Sequence, residues 1–398
     1  MNRRLYLKAA LAGVATLATL TSGCTTGQAA RVNSAAVDAT RAEAREVLEA
    51  LNRANNYWQA HNPPTHWAFW DYAAYHTGDM EACAITANPA WRKYSSDWAE
   101  HNQWTSARSN DKASWKYSYG ETDDHVLFGD WQIAFQTYAD LYRLDPAKER
   151  KKIARALEVF EHQMNTPNND YWWWADGLYM VMPVMTKLYK ITGERRYLDK
   201  LLDYFKYADT LMFDKQAGLY YRDAKYIYPK HKSSNGGRDF WARGDGWVFA
   251  GLAKVLADLP RDHAAYPLML ERYRHMARAL KPLQQEEGYW TRSLLDPSHA
   301  PGRETSGTAF FTYGYLWGMN NGLLDRAEYA PVVRKSWTYL SRVALQPSGK
   351  LGYVQPIGER AIPGQRVDQE STAPFGVGAF LLAAAEMVRF VDHNRPQR

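Results

Sequence analysis

The chain has 398 residues, is 46% hydrophobic and 23% charged, and carries a formal charge of +6 at pH 7. These fractions belong to an ordinary globular protein and exclude a disordered or collagen-like chain, while the length allows one large domain or two. Its 16 Trp and 27 Tyr are a surplus. Buried indoles and phenols need partners for their N–H and O–H groups, so the surplus points to a lined cleft as well as a core.

Residues 1–30 read as an export leader with a short tether, leaving 31–398 as a single domain. Arg3, Arg4 and Lys8 form a basic start, and Ala9 to Leu20 is an apolar run too short to span a bilayer comfortably. Arg3-Arg4-Leu5-Tyr6-Leu7-Lys8 is similar to a twin-arginine signal. Leu20 to Cys24 resembles a bacterial lipobox with Cys24 acylated, and Gly27-Gln28-Ala29 is a competing cleavage site. The lipobox reading predicts an exported, periplasmic or outer-membrane lipoprotein held by a lipidated Cys24. Removing the leader takes away three cations and no acid, so the charge falls from +6 to +3. With no Lys/Arg stripe left, no nucleic-acid partner is expected. Cys83 is expected to be a buried small hydrophobe rather than a nucleophile, and no structural disulfide is expected.

Amphipathic stretches ending in polar turns then recur. The turns are read at Tyr75–Asp79, Tyr142–Pro146, Tyr189–Glu194, Leu256–Pro260 and Asn320–Asp325, and the chain closes on a helical run from Phe380 to Val391. A spacing of roughly 45–70 residues holds two helices and two loops. Apolar residues between turns recur at three and four, as in Leu198, Leu201, Leu202 and Phe205. Period-two runs are confined to pieces such as Gly218–Tyr221. Six hairpins predict an all-α protein, an (α/α)6 barrel around an axial funnel, with an open solenoid as the alternative.

Candidate functional residues fall where hairpins begin. Trp172-Trp173-Trp174-Ala175-Asp176 sets one carboxylate behind three indoles, where lost hydration raises a carboxyl pKa into the range useful for a general acid. Asp176 as a helix cap is the competing reading. Asp130, in Gly129-Asp130-Trp131, is either a second carboxylate of the site or a cap. Asp123-Asp124-His125 lacks a second histidine at ligand spacing, so no metal is expected there. Arg243 and Trp247 lie four apart, and a guanidinium beside an indole suits a sugar carboxylate. Glu304 is a candidate acid/base in a segment that also reads as a cap-and-turn loop. Around Ser306 the nucleophile-elbow glycines are replaced by Glu304 and Thr308, and no phosphate loop or dinucleotide fingerprint is present.

These segments together resemble glycoside hydrolase families 88 and 105, the unsaturated glucuronyl and rhamnogalacturonyl hydrolases, from about Trp70 to Val388. The matching stretches are 174–180, 240–247, 304–309, 320–324 and 375–382, in family order. The resemblance implies an (α/α)6 catalytic domain over 31–398 and a cofactor-free, metal-free hydration of a double bond. Its substrates would be lyase-generated oligosaccharides ending in a 4,5-unsaturated uronic acid. By motif the catalytic aspartate falls on Asp176 and the neighbouring sugar-contacting indole on Trp174. Arg243 and Trp247 fall on substrate-binding positions. The second aspartate falls on Asp130, with Asp124 as the alternative. Two departures stand out: Asp245 replaces an expected Asn, adding negative charge near an anionic subsite, and Tyr220-Tyr221-Arg222-Asp223 stands where some members carry a histidine. Arg222 and Glu304 complete the substrate-binding candidates. The rival readings are an ordinary (α/α)6 glycosidase using Glu304 or Asp130 on saturated glycans, and a lipoprotein that only captures oligosaccharides.

Overall fold

The computed structural model describes residues 25–393. The basic start and the lipobox at Cys24 lie outside the described residues. Thirteen helices run in chain order among them. Outer helices α1 (Thr25–His61), α3 (Pro89–His101), α6 (Lys151–Met164), α8 (Arg196–Met212), α10 (Ala265–Leu280) and α12 (Arg326–Tyr339) alternate with inner ones. The inner helices are α2 (Trp70–Thr86), the short α4 (Gly129–Gln132) continued by α5 (Ala134–Leu144), α7 (Ala175–Thr192), α9 (Ala242–Asp258), α11 (Ser306–Asn320) and α13 (Pro374–His393). One hairpin, β1 (Phe213–Asp214) with β2 (Leu219–Tyr220), pairs antiparallel between α8 and α9.

Each inner helix packs against the next, and α13 returns to pack on both α1 and α2, so the ring closes and the open solenoid is excluded. The sequence explains the division into two layers. The outer α8 buries one stripe, Leu198, Leu201, Phe205 and Met212, whereas α7 is buried continuously from Ala175 to Leu188. A helix apolar all round must sit inside. The inner α13 is long and apolar enough to cross a membrane by composition, yet 89% of that window is buried in the ring.

Turn chemistry accounts for most helix ends. Gly193 closes α7 at φ +77° with its N–H on Tyr189 O, and Pro146 and Pro260 follow α5 and α9 closely. The turn expected at Tyr75–Asp79 is instead the middle of α2, which ends at Ala87 in the left-handed region. Its polar residues are satisfied inside: Asp79 accepts from Asn55 (2.7 Å), Gln59 (3.1 Å) and Ser95 (2.6 Å). Gly78 is there for a close approach. A Cβ on it would lie 2.2 Å from Gly378 O of α13, so this glycine pair lets the first and last inner helices seal the ring.

Candidate active site

Three inner helices begin at one mouth of the funnel with an aspartate in second position: Asp71 on α2, Asp130 on α4 and Asp176 on α7. Free N–H groups of a first helical turn favour negative charge there. Burial opposes it. Desolvation pushes Asp71 up to about 6 and raises Asp176, for which Arg222 and Arg243 work in the opposite direction. Asp130 is pushed well above the usual carboxylate range, first by burial and then by the neighbouring charge of Asp176. The pair therefore titrates as a unit, with the proton favouring Asp130 while Arg222 holds Asp176 toward its ionised form.

Arg222 Nε donates to Asp176 Oδ2 at 3.3 Å, and its Nη1 donates to Asp223 (2.7 Å) and Glu359 (3.3 Å). The chain itself fixes this arginine. Ala175 N–H donates to Arg222 O at 2.7 Å, and Trp174 forms a β-bridge with Asp223. The segment 222–223 is thus laced to the N-terminus of α7.

These groups line a cavity of about 570 Å³. Its aromatic walls are Trp67, Phe69, Trp70, Trp173 and Trp174. Trp174 leans on Phe128 (4.8 Å) and Trp173 (4.7 Å). Trp172, expected in the same wall, points the other way and packs on Tyr204 of α8 at 5.2 Å. The mouth carries Tyr119, 62% exposed, and Ile357, 61% exposed. It also carries an ion pair from Lys225 to Glu359 (3.0 Å). Among the described residues no group of three or more His, Cys, Asp or Glu side chains is disposed to hold a metal ion.

The structure thus brings together Asp176, Asp130, Trp174 and Arg222. The other candidates do not line the cavity, although the charge of Arg243 still reaches Asp176. Arg243 is 1% exposed, wedged between Trp241 (4.5 Å) and Phe375 (4.7 Å). Its Nη1 donates to Gln355 O (2.7 Å) and its Nη2 to Pro356 O (2.9 Å). The fork expected to clamp a sugar carboxylate instead ties down the loop that presents Ile357, Gly358 and Glu359 to the cavity. Trp247 is fully buried against Phe310 (4.3 Å) and Tyr179 (4.8 Å), in the floor of the funnel.

Glu304 is neither acid/base nor sugar ligand by position. Its carboxylate accepts from Ser306 N (2.8 Å), Ser306 Oγ (2.5 Å), Gly307 N (2.7 Å) and Gln355 N (3.2 Å), so it caps α11. Asp124 does not line the cavity. It pairs with Lys116 at 2.5 Å, and that bond holds its carboxyl well below the usual range. Asp245 adds no charge to the cavity either: it is buried, accepts from Tyr220 N at 2.8 Å, and burial pushes its pKa well up. Cys83 is buried and unpaired.

Asp71 was not among the candidates, although Trp70-Asp71 repeats the indole-and-acid start of the other two helices. For the loop at 357–359 no local signal exists, since Arg243 brings it in from more than 110 residues away.

Carboxyls with raised pKa values, a guanidinium and exposed indoles at the mouth of an (α/α)6 barrel define the class: a carbohydrate-active acid–base protein. The chain belongs to glycoside hydrolase family 88, whose model matches residues 42–391. It is 36% identical over 225 residues to an unsaturated 3S-rhamnoglycuronyl hydrolase of Formosa agariphila. That match covers 56% of this chain and 59% of the relative, so the chain aligns with little more than half of that protein's length. A solved family 88 hydrolase from Bacteroides vulgatus is 57% identical over 87% of this chain and 99% of its own, with a TM-score of 0.85. A structure described as a polysaccharide lyase is 64% identical over 88% of this chain and 98% of its own, also at 0.85.

Proposed function

We propose that the protein is a hydrolase that releases a 4,5-unsaturated uronic acid from the non-reducing end of lyase-generated oligosaccharides by hydrating the C4=C5 bond. The observation that carries it is the Asp130–Asp176–Arg222 cluster in an indole-lined cavity. The double bond is part of an enol ether, so protonation at C4 leaves positive charge on C5 and the ring oxygen. A carboxyl that keeps its proton near neutral pH supplies that proton.

Arg222 couples binding to this step. The substrate's carboxylate is a better partner for the guanidinium than the buried Asp176. As Arg222 turns to the sugar, Asp176 loses its main counter-charge and takes up a proton, with the acidic Asp130 beside it. Asp176 delivers the proton to C4, water adds its oxygen at C5, and the carboxylate of Asp176 accepts the water's other proton. The resulting hemiketal opens and the glycosidic link is released. No attack at the anomeric carbon is needed, so the carboxyl separation does not dictate retention or inversion as it does in two-carboxylate glycosidases.

The similarity to an unsaturated 3S-rhamnoglycuronyl hydrolase supports a substrate of that kind. The deciding experiment incubates the protein with a panel of lyase digests and follows the absorbance of the conjugated double bond. The reading requires absorbance to fall. Rising absorbance on an intact polysaccharide would identify a lyase, and binding with unchanged absorbance an oligosaccharide-capture protein. The leader supports export and attachment through Cys24. Palmitate labelling that disappears in Cys24→Ala is the expected outcome, and unchanged labelling would sink the lipoprotein reading.

A further inference from the structure

A cavity that takes an acidic sugar is here itself rich in acid. Asp71, Glu121, Asp130, Asp176 and Glu359 line it against two cations, Arg222 and Lys225. A further carboxylate beside all five would meet net repulsion, even with Asp130 keeping its proton. Such a ligand binds at least cost if one of the acids gives way.

Glu359 is placed to do so. Its carboxylate sits in a cradle of three donors. Arg222 Nη1 (3.3 Å) and Lys225 Nζ (3.0 Å) both reach Oε2, and the Tyr226 hydroxyl donates to Oε1 at 2.6 Å. Burial works against this charge, yet Tyr226, Lys225 and Arg222 together hold the carboxyl below its usual range, so it occupies the cradle ionised. The donors are fixed from behind. Buried Asp223 accepts from Arg222 Nη1 (2.7 Å) and Lys225 N (2.7 Å), and its carbonyl accepts from Tyr226 N (3.0 Å). Glu359, by contrast, has a side chain 44% exposed at the rim. That side chain can leave without the loop, because Arg243 grips the carbonyls of Gln355 and Pro356.

Arg222 bonds Asp176 through Nε and Glu359 through Nη1. A carboxylate in the place of Glu359 would share its guanidinium with the acid that protonates C4. In the unsaturated sugar the carboxylate hangs from C5, the atom next to C4, so the two demands agree.

We propose that Arg222, Lys225 and Tyr226 form the carboxylate subsite of this cavity, and that Glu359 is a built-in occupant which the ligand's carboxylate displaces. That the ligand is an unsaturated uronate rests on the reaction proposed above, whereas the cradle rests on its own geometry. The occupant makes the site selective. A uronate replaces the charge of Glu359 one for one, and a neutral sugar does not.

Calorimetric titration of the full chain with D-glucuronate tests the cradle, with glucose as the uncharged control. A site open for only part of the time binds more weakly by that fraction, so removing the occupant strengthens binding. Glu359→Gln and Glu359→Asp are each expected to tighten glucuronate at least about threefold, and Lys225→Met to weaken it as much. Glucose is expected to give no heat. Glu359→Asp decides the matter, because it keeps the negative charge on the loop but is one methylene short of the donors. Glucuronate binding no tighter in Glu359→Asp than in the parent protein would leave only repulsion at a distance and overturn the proposal. So would the absence of heat in both Glu359 variants up to about 10 mM. Turnover of lyase digests tests the reaction separately: if absorbance never falls, that reading fails while calorimetry still judges the cradle.

Discussion

Arg222 reaches Asp176 with Nε 3.3 Å from Oδ2, and the same side chain holds Asp223 and Glu359. One guanidinium thereby ties the proton-transfer carboxyl to the rim of the cavity. Arg222→Ala is expected to lower kcat/KM on unsaturated oligosaccharides by about 30-fold or more, because truncating one side of a buried charge pair costs about 2–5 kcal/mol. Arg222 lowers the pKa of Asp176, so its loss should shift the basic limb of the pH–rate profile upward. An unchanged limb would separate Arg222 from proton transfer and leave it only a binding role.

Asp176→Asn and Asp130→Asn test the acid pair. Each is expected to lower kcat by about 10²–10⁴, the range for loss of a positioned acid or base. The two should then differ in pH dependence. Asp130 is raised partly by the charge of Asp176, so in Asp176→Asn the remaining carboxyl should titrate lower than in the parent protein. Carboxyl titration followed by infrared difference spectroscopy reads this directly.

Which parts of this site were legible depended on how local their causes are. Asp176 and Asp130 stand beside their own aromatic walls, and their helices begin at them, so both could be read from a few adjacent residues. Arg222 is a substrate-binding candidate in the sequence, but no local pattern there pairs it with Asp176. What places it is a bridge between Trp174 and Asp223 that joins two hairpins. Arg243 presents the reverse case. Its motif is local, but its partners are carbonyls 112 and 113 positions away. The Thr77-Gly78-Asp79 segment has turn chemistry, yet its glycine serves a helix crossing and its acid a buried network. The six-hairpin architecture was legible because four of the five turns are ordinary helix ends, and the one misplaced turn, Tyr75–Asp79, did not alter the repeat.

Asp71 yields a stability prediction. Its folded pKa is raised to about 6 against an ordinary value of 3.8. The native state therefore binds more protons than the unfolded chain between about pH 4 and 6, and stability falls as pH rises through that window. The ceiling is about 3 kcal/mol. Asp71→Asn removes the penalty, so its Tm should exceed that of the parent protein at pH 8 and match it more closely at pH 4. Equal Tm differences at both pH values would show that burial does not perturb Asp71.

Gly78→Ala probes ring closure. The added Cβ would meet Gly378 O at 2.2 Å and Gly378 Cα at 2.7 Å, both backbone atoms that cannot swing aside. Overpacking of this kind costs about 1–3 kcal/mol, and more where backbone must move. Chemical denaturation is expected to show a lower midpoint. A midpoint equal to that of the parent protein would mean α2 and α13 separate at little cost.

Glu304→Gln distinguishes a cap from a catalyst. The carboxylate accepts four hydrogen bonds at the start of α11, and an amide with one oxygen and one NH₂ must turn a donor toward groups that are themselves donors. The expected loss is about 2 kcal/mol or more of stability, since a buried donor left unsatisfied costs about 1–3 kcal/mol. With α11 still folded, kcat should stay within about threefold, because Glu304 lies outside the cavity where protons move. A large fall in kcat with unchanged stability, measured by turnover beside a denaturation curve, would return Glu304 to the chemistry and displace the Asp130–Asp176 pair as the complete acid–base set.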